Sequence, residues 1–252
     1  MNFDWAIIGT GFIYPRHKQA IEDNGGKVVA TYNTKNDWRE VLKSDVPNVA
    51  ICTPNDLHYE MALECLKAGK RVLIEKPPVL NMEQFEELVG VGNLYVVLQL
   101  RYHPIVQTLK TLVKHDNEAK IDIHINRDKS YWDGWKGDVR RSGGVIWNIG
   151  SHYFDILLHC LGGQPAKIEY KIDLSAPKND QWRFVTLNGY QFNFSSKDNL
   201  SYEGLHFDVY KEIKEGRGIK LSECESTIRF LCSLEKENEN KNLASGAVHY
   251  PS

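Results

Sequence analysis

Five short apolar runs punctuate the first hundred residues: Trp5–Ile8, Val28–Tyr32, Val49–Thr53, Arg71–Ile74 and Tyr95–Leu100. Between them lie stretches with helical spacing, from about Pro15 to Asn24, Trp38 to Leu42, Leu57 to Ala68 and Asn81 to Val89. A sheet with one wet face would alternate apolar and polar residues, and these runs do not. Continuous apolar strands separated by helices predict a parallel sheet covered on both faces. The helix ends carry their own signals: Pro15 in a first turn, Asn81 as an N-cap, Gly69 as a stop.

The pattern changes past residues 101–118. Ile121–Asn126 alternates, and Ala166–Leu174 does so weakly. Phe184–Leu187 and Tyr190–Phe194 flank Asn188-Gly189, a two-residue hairpin signal. Helical patterns fill about 150–161, 203–215 and 222–235, and the polar tail beyond Lys236 is expected to be poorly ordered. The expected fold class is α/β. A Rossmann parallel sheet occupies 1–102. A C-terminal α+β domain with an open, mostly antiparallel sheet occupies 103–252, its last helices placed to pack back on the first domain.

Composition excludes several function classes. The 252 residues carry a formal net charge of −2, so no electrostatic footprint for nucleic acid exists. No apolar run is long enough to span a bilayer, and the N-terminus lacks the features of a signal peptide. Cys52, Cys65, Cys160, Cys224 and Cys232 form no C-x-x-C pair, which predicts free thiols and a cytoplasmic protein.

Gly9-Thr10-Gly11-Phe12-Ile13-Tyr14 stands between the first strand and the first helix, where a dinucleotide-binding turn belongs. The first glycine permits the tight turn, and the second lets a pyrophosphate approach the helix N-terminus. Tyr14 replaces the third glycine. At the end of the second strand Asn33 can hydrogen-bond a ribose hydroxyl, whereas Lys35 would meet a 2′-phosphate. The expected cofactor is NAD, with NADP left open. Ligands of such sheets bind beyond the carboxyl ends of the strands. Thr53-Pro54-Asn55 and Glu75-Lys76-Pro77 fall there. A lysine at that place can bind a substrate hydroxyl and stabilise a developing alkoxide.

GTGFI at 9–13, TPNDLH at 53–58, EKP at 75–77 and GG-x-x-x-NIGSHYFD at 143–155 together resemble the Gfo/Idh/MocA family of nicotinamide-dependent sugar oxidoreductases. IGTGFIYPRHKQAI, LQLRYHP at 98–104 and YWDGWKGDVRRSGGVIWNIGSHYFD at 131–155 resemble its branch that oxidises C3 of UDP-N-acetylglucosaminuronate in surface-polysaccharide synthesis. The family's helix-start acid is Asn148 here, as in that branch. The chain is short for the family and is trimmed between about 174 and 184. The resemblance implies an active-site Lys76, a cis bond to Pro77, a homo-oligomer (dimer or tetramer), and 2-oxoglutarate as a possible hydride acceptor.

Asn148 and His152 stand four apart and project to one side of a helix start. His152 is assigned as the general base, Lys76 as the group that orients the hydroxyl, and Asn148 as a holder of sugar or base. Gly9, Thr10, Gly11, Phe12, Ile13, Asn33, Thr53, Pro54, Asn55, His58, Glu75, Lys76, Gln99, Trp135 and Lys136 are assigned to the cofactor. Arg101, Tyr131, Arg140, Asn148 and His152 are assigned to the substrate. Lys136, Arg140 and Arg141 form a basic cluster suited to pyrophosphate or a uronate. Asp155 and His159 share the helical spacing of a metal pair but lack a third ligand, so no metal is expected. His17 and His103 receive no role. Competing readings are a dehydrogenase of a free sugar or cyclitol, an enzyme that uses NAD transiently, and a non-catalytic NAD(P)-binding regulator.

Overall fold

The computed structural model describes residues 3–112, 118–163, 165, 167–194 and 204–245. Strands β1 (Asp4–Ile8), β2 (Lys27–Tyr32), β3 (Asn48–Ile51), β4 (Arg71–Ile74) and β5 (Leu94–Val96) form one sheet in the order β2-β1-β3-β4-β5. Every pairing in it is parallel. Helices α1 (Tyr14–Asp23), α2 (Glu40–Lys43), α3 (His58–Lys67) and α4 (Met82–Leu88) connect the strands.

Successive strand side chains point to opposite faces, and here both faces are buried. Trp5, Ile7, Ala50 and Leu73 pack on Ala20 and Ile21 of α1. Ala6, Ile8, Ile51 and Ile74 pack on Met61, Ala62, Cys65 and Phe85 from α3 and α4. That explains the unbroken apolar runs. The first face is completed by a helix from far along the chain, α9 (Leu205–Lys214), which contributes Val209, Tyr210 and Ile213.

Pro104–Leu112 is α5. The second sheet has the order β7-β6-β8-β9, from β6 (Glu118–His124), β7 (Lys167–Asp173), β8 (Trp182–Leu187) and β9 (Tyr190–Asn193). β6 pairs with β7 in parallel and with β8 antiparallel, and β8 pairs with β9 antiparallel, so the sheet is mixed. Asn188 and Gly189 both have positive φ, 50° and 80°, as a tight hairpin turn requires. α6 (Lys129–Asp133), α7 (Val139–Ser142) and α8 (Ser151–Leu161) lie between β6 and β7, and α10 (Glu225–Ser245) ends the described chain.

Two sequence expectations need correction. The fifth strand stops at Val96 and gives way to a 3-10 turn at Gln99–Tyr102. Its neighbour β4 ends at Ile74, whose carbonyl accepts from Val97 N–H, and the Pro77-Pro78 exit supplies no ladder partner beyond that; on the other edge of the strand Val96 N–H donates to the Ile219 carbonyl. The tail beyond Lys236 continues as helix to Ser245, because its Glu and Lys residues are good helix formers. Residues 246–252 lie outside the described residues, as does Ala166 of the expected seventh strand. Among the described residues no helix is long and apolar enough to cross a membrane.

Candidate active site

At Gly9 φ is +100°, and a Cβ there would stand 2.6 Å from the Cys52 carbonyl oxygen. The turn therefore passes against the end of β3 in a way only glycine permits. Gly9 N–H donates to Tyr32 O at 2.7 Å, which ties the turn to the end of β2. Nothing lies within 4 Å of a Cβ built on Gly11, and α1 begins without a side-chain cap. Open space beside uncapped helix N–H groups suits an anion. Asn33 Nδ2 reaches Thr10 Oγ1 at 3.3 Å, which places it beside this turn.

A crevice of about 690 Å³ opens beyond the carboxyl ends of the first sheet, roofed by the β6–α8 segments and β8. The Lys76–Pro77 bond is cis, and Lys76 Nζ donates to the Asn148 carbonyl at 2.7 Å. Asn148 Nδ2 donates to the Tyr131 hydroxyl at 2.7 Å. Asn148 sits in a single π-helical turn, Ile146–Gly150, that leads straight into α8 and His152. Lys76, Asn148 and His152 all line the crevice, with Phe12, Gln99, Tyr131, Trp135 and Lys136. Lys136 Nζ lies 5.8 Å from the Phe12 and Trp135 ring centroids, a cation–π arrangement at the mouth.

Several assigned residues are not brought to this crevice. Arg101 is buried and grips Asp155 through Nε and Nη2 at 2.9 and 2.7 Å. That contact occupies Asp155, and His159 Nε2 lies 3.4 Å from Lys110 Nζ. Arg140 points to solvent beside Asp138, and Arg141 pairs with Asp56 at 3.0 Å. His58 is buried between the carbonyls of Pro77 and Thr53, at 2.7 and 3.0 Å. Asn55 Nδ2 holds the Ser142 carbonyl at 2.9 Å. Glu75 turns to the α1 side, where His17 Nε2 meets its carboxylate at 2.9 Å. These side chains have protein partners where sequence reasoning gave them ligands.

Other residues line the crevice without having been singled out: Arg16, Arg127, Asp128, Tyr153 and Arg183. Arg127 follows β6 and Arg183 stands on β8, positions where an arginine in an alternating strand reads as solvated. Only strand pairing brings them to one wall. Among the described residues, the crevice thus carries the cations Arg16, Lys76, Arg127, Lys136 and Arg183 against the single carboxylate of Asp128.

Burial, with help from Lys136 and Arg127 and against the pull of Glu75, lowers the Lys76 ammonium to about 8. Burial, then Lys76, holds His152 well below its ordinary value. His152 is therefore a neutral imidazole at neutral pH, and its buried Nδ1 has no hydrogen-bond partner. Gln99 Oε1 is likewise unpartnered. Buried polar atoms without partners beside an open cleft are what a bound ligand completes. With the glycine cradle, these residues fit a nicotinamide dinucleotide.

A model of the oxidoreductase family with an NAD-binding Rossmann fold matches residues 27–92, and one of the GFO/IDH/MocA C-terminal domain matches 117–197. Together they cover more than half of the chain. The chain is 30% identical over 123 residues to scyllo-inositol 2-dehydrogenase (NADP(+)) of Bacillus subtilis, covering 45% of this chain and 34% of that protein. It spans between 34% and 58% of the length of the curated relatives compared. The WlbA (WbpB) dehydrogenase from Thermus thermophilus, solved with NAD and UDP-GlcNAcA, is 25% identical with a TM-score of 0.80, over 100% of this chain and 97% of that one. The same dehydrogenase with NAD and alpha-ketoglutarate is 26% identical with a TM-score of 0.82, at the same coverage.

Proposed function

Because the chain belongs to the Gfo/Idh/MocA family of NAD-binding oxidoreductases, we propose that it oxidises a secondary hydroxyl of an anionic nucleotide sugar to a ketone, at C3 of a UDP-N-acetylglucosaminuronate-type substrate. The observation that carries this reading is the convergence of Lys76, Asn148 and His152 on one wall of a strongly cationic crevice. Such a lining favours a ligand with phosphates or a carboxylate over a neutral sugar.

Neutral His152 accepts the hydroxyl proton at a ring nitrogen. The Lys76 ammonium donates a hydrogen bond to the same oxygen and supports its negative charge as the proton leaves. The Asn148 carbonyl fixes the direction of that ammonium, and its amide group anchors Tyr131 as a wall of the pocket. NAD, when bound, supplies the acceptor for the hydride that leaves the same carbon. Gly9, Gly11 and the start of α1 would hold its pyrophosphate, Asn33 its ribose, and Gln99, Trp135 and Lys136 would border the nicotinamide. 2-Oxoglutarate as co-substrate would supply a keto carbon to take the hydride back, itself becoming a 2-hydroxy acid. The reading also carries a cytoplasmic homo-oligomer joined through the outer face of the second sheet.

The test incubates the purified chain with NAD and UDP-N-acetylglucosaminuronate, with and without 2-oxoglutarate, and follows the 3-keto product by mass spectrometry. Product that disappears in Lys76→Ala and in His152→Ala is expected. Absence of product despite NAD binding would sink the substrate assignment. The inositol dehydrogenase among the relatives favours a second reading, oxidation of a cyclitol, and NADH formed from inositol would establish it instead.

A further inference from the structure

The crevice explains Lys76 but not its neighbour. Glu75 is 8% exposed, and its carboxylate enters the layer between β4, α1 and α9. His17 of α1 donates Nε2–H to Glu75 Oε1 at 2.9 Å, and its Nδ1 accepts from the Tyr210 hydroxyl at 2.7 Å. His206 of α9 stands with Nε2 3.6 Å from the same Glu75 oxygen, an ion-pair distance longer than a hydrogen bond. Its ring lies edge-on to His17 at 5.1 Å. Both imidazoles are sealed, at 0% and 1% exposure. The other carboxylate oxygen accepts the backbone N–H of Lys76 at 3.2 Å. Both nitrogens of His17 are engaged, so the group reads as a hydrogen-bonded charge centre and not as an open chelate, although its ligand atoms lie within 4.8 Å of one another.

An ionised carboxylate in such a layer is costly unless it is compensated, a cost that an apolar replacement would avoid. A charge at such a cost points to a use, and it lies one residue from the ammonium at the reacting centre. We propose that His17, Glu75 and His206 form a positioning device for Lys76: the two imidazoles hold Glu75 ionised beneath the crevice, and Glu75 holds the Lys76 side chain as an ammonium. The inference rests on the reading of Lys76 as the group that orients the hydroxyl.

The surrounding charges agree. Burial opposes ionisation of Glu75, but the hydrogen bond from His17 and the close His206 ring together outweigh it and hold the carboxyl well below the usual range. Burial raises the Cys52 thiol and the Tyr210 hydroxyl and lowers His17 and His58, so none of the four brings charge at neutral pH. On the crevice side Lys136 and Arg127 push Lys76 toward the neutral amine, and neutral His152 does not oppose them. Glu75 is the anion that does.

The test is a pH titration of the full chain carrying ¹³C at the lysine Cε, with the Lys76 signal identified by its loss in Lys76→Met. The midpoint is expected near 8. Glu75→Gln keeps the shape and removes the charge, and is expected to lower the midpoint by about one pH unit, a tenfold fall in the ammonium-to-amine ratio. His206→Asn, which leaves the catalytic side chains intact, is expected to lower it by less. A midpoint unmoved in both folded variants overturns the proposal. Where Glu75→Gln does not fold, His206→Asn decides alone. The titration uses neither substrate nor turnover, so failure of the proposed reaction and failure of this inference give different results.

Discussion

Glu75 and Lys76 are adjacent in sequence and face opposite environments. On the Glu75 side Glu75 closes on His17 and His17 on Tyr210, just as Arg101 elsewhere closes on Asp155, which also accepts from Thr227 Oγ1 at 3.0 Å; the exception is His206, sealed away from the crevice with neither ring nitrogen hydrogen-bonded. On the Lys76 side, His152 Nδ1 and Gln99 Oε1 are buried without partners, and cations gather with little to neutralise them. The difference teaches how to separate structural polarity from functional polarity. A buried charge whose partners are protein groups holds the fold together; a buried polar atom left open at a cleft awaits a ligand.

Substitution on the open side should remove activity and spare the fold. His152→Ala is expected to reduce kcat by about 10²–10⁴-fold, the range of general acid–base catalysis, with an unchanged melting curve; loss of folding instead would erase the contrast. Substitution on the closed side should do the reverse. Arg101→Met leaves Asp155 buried and unpaired, an expected cost of about 3–5 kcal/mol in urea unfolding. A stable variant with raised KM would return Arg101 to the substrate site. Arg127→Gln is expected to raise KM for an anionic substrate by about tenfold, or ~1.4 kcal/mol, with kcat little changed, as steady-state kinetics would reveal. Activity should fall as pH rises through about 8, where Lys76 loses its proton. It should not fall on the acid side until well below 6.5, because His152 stays neutral there. Arg140→Ala marks the lower end of the scale, with stability and KM expected to change by less than about 0.5 kcal/mol.

The first sheet was legible because burial on both faces writes continuous apolar runs, and the glycine turn because only glycine fits against Cys52. Asn148 and His152 were legible from their spacing, although a π turn intervenes. The end of the fifth strand was not, since it is decided by where β4 stops, and Val97 and Leu98 beyond it are as buried and apolar as the strand itself. Arg127 and Arg183 were not, because β6 and β8 meet across some sixty residues of chain, where no local pattern reaches. The motif containing Arg101 was read as a pocket wall; its carboxylate partner lies 54 residues on, and an isolated arginine gives no sign of one. The His17–Glu75–His206 group joins three separate elements; the sequence showed it only as an unassigned His17 and a Glu75 read toward the cofactor.

The position of α9 bears on the order in which the protein can be made. Val209, Tyr210 and Ile213 complete the cover that α1 begins over Trp5, Ile7 and Leu73, so one face of the first sheet stays partly bare until residues past 210 leave the ribosome. Translation at about 5–20 residues per second leaves that apolar face waiting for several seconds after the last strand of its sheet has emerged. A chain cut after residue 102 would never cover it. The nascent sheet is a natural client for a chaperone that binds apolar surface, and the emergence of α9 is the step that releases it.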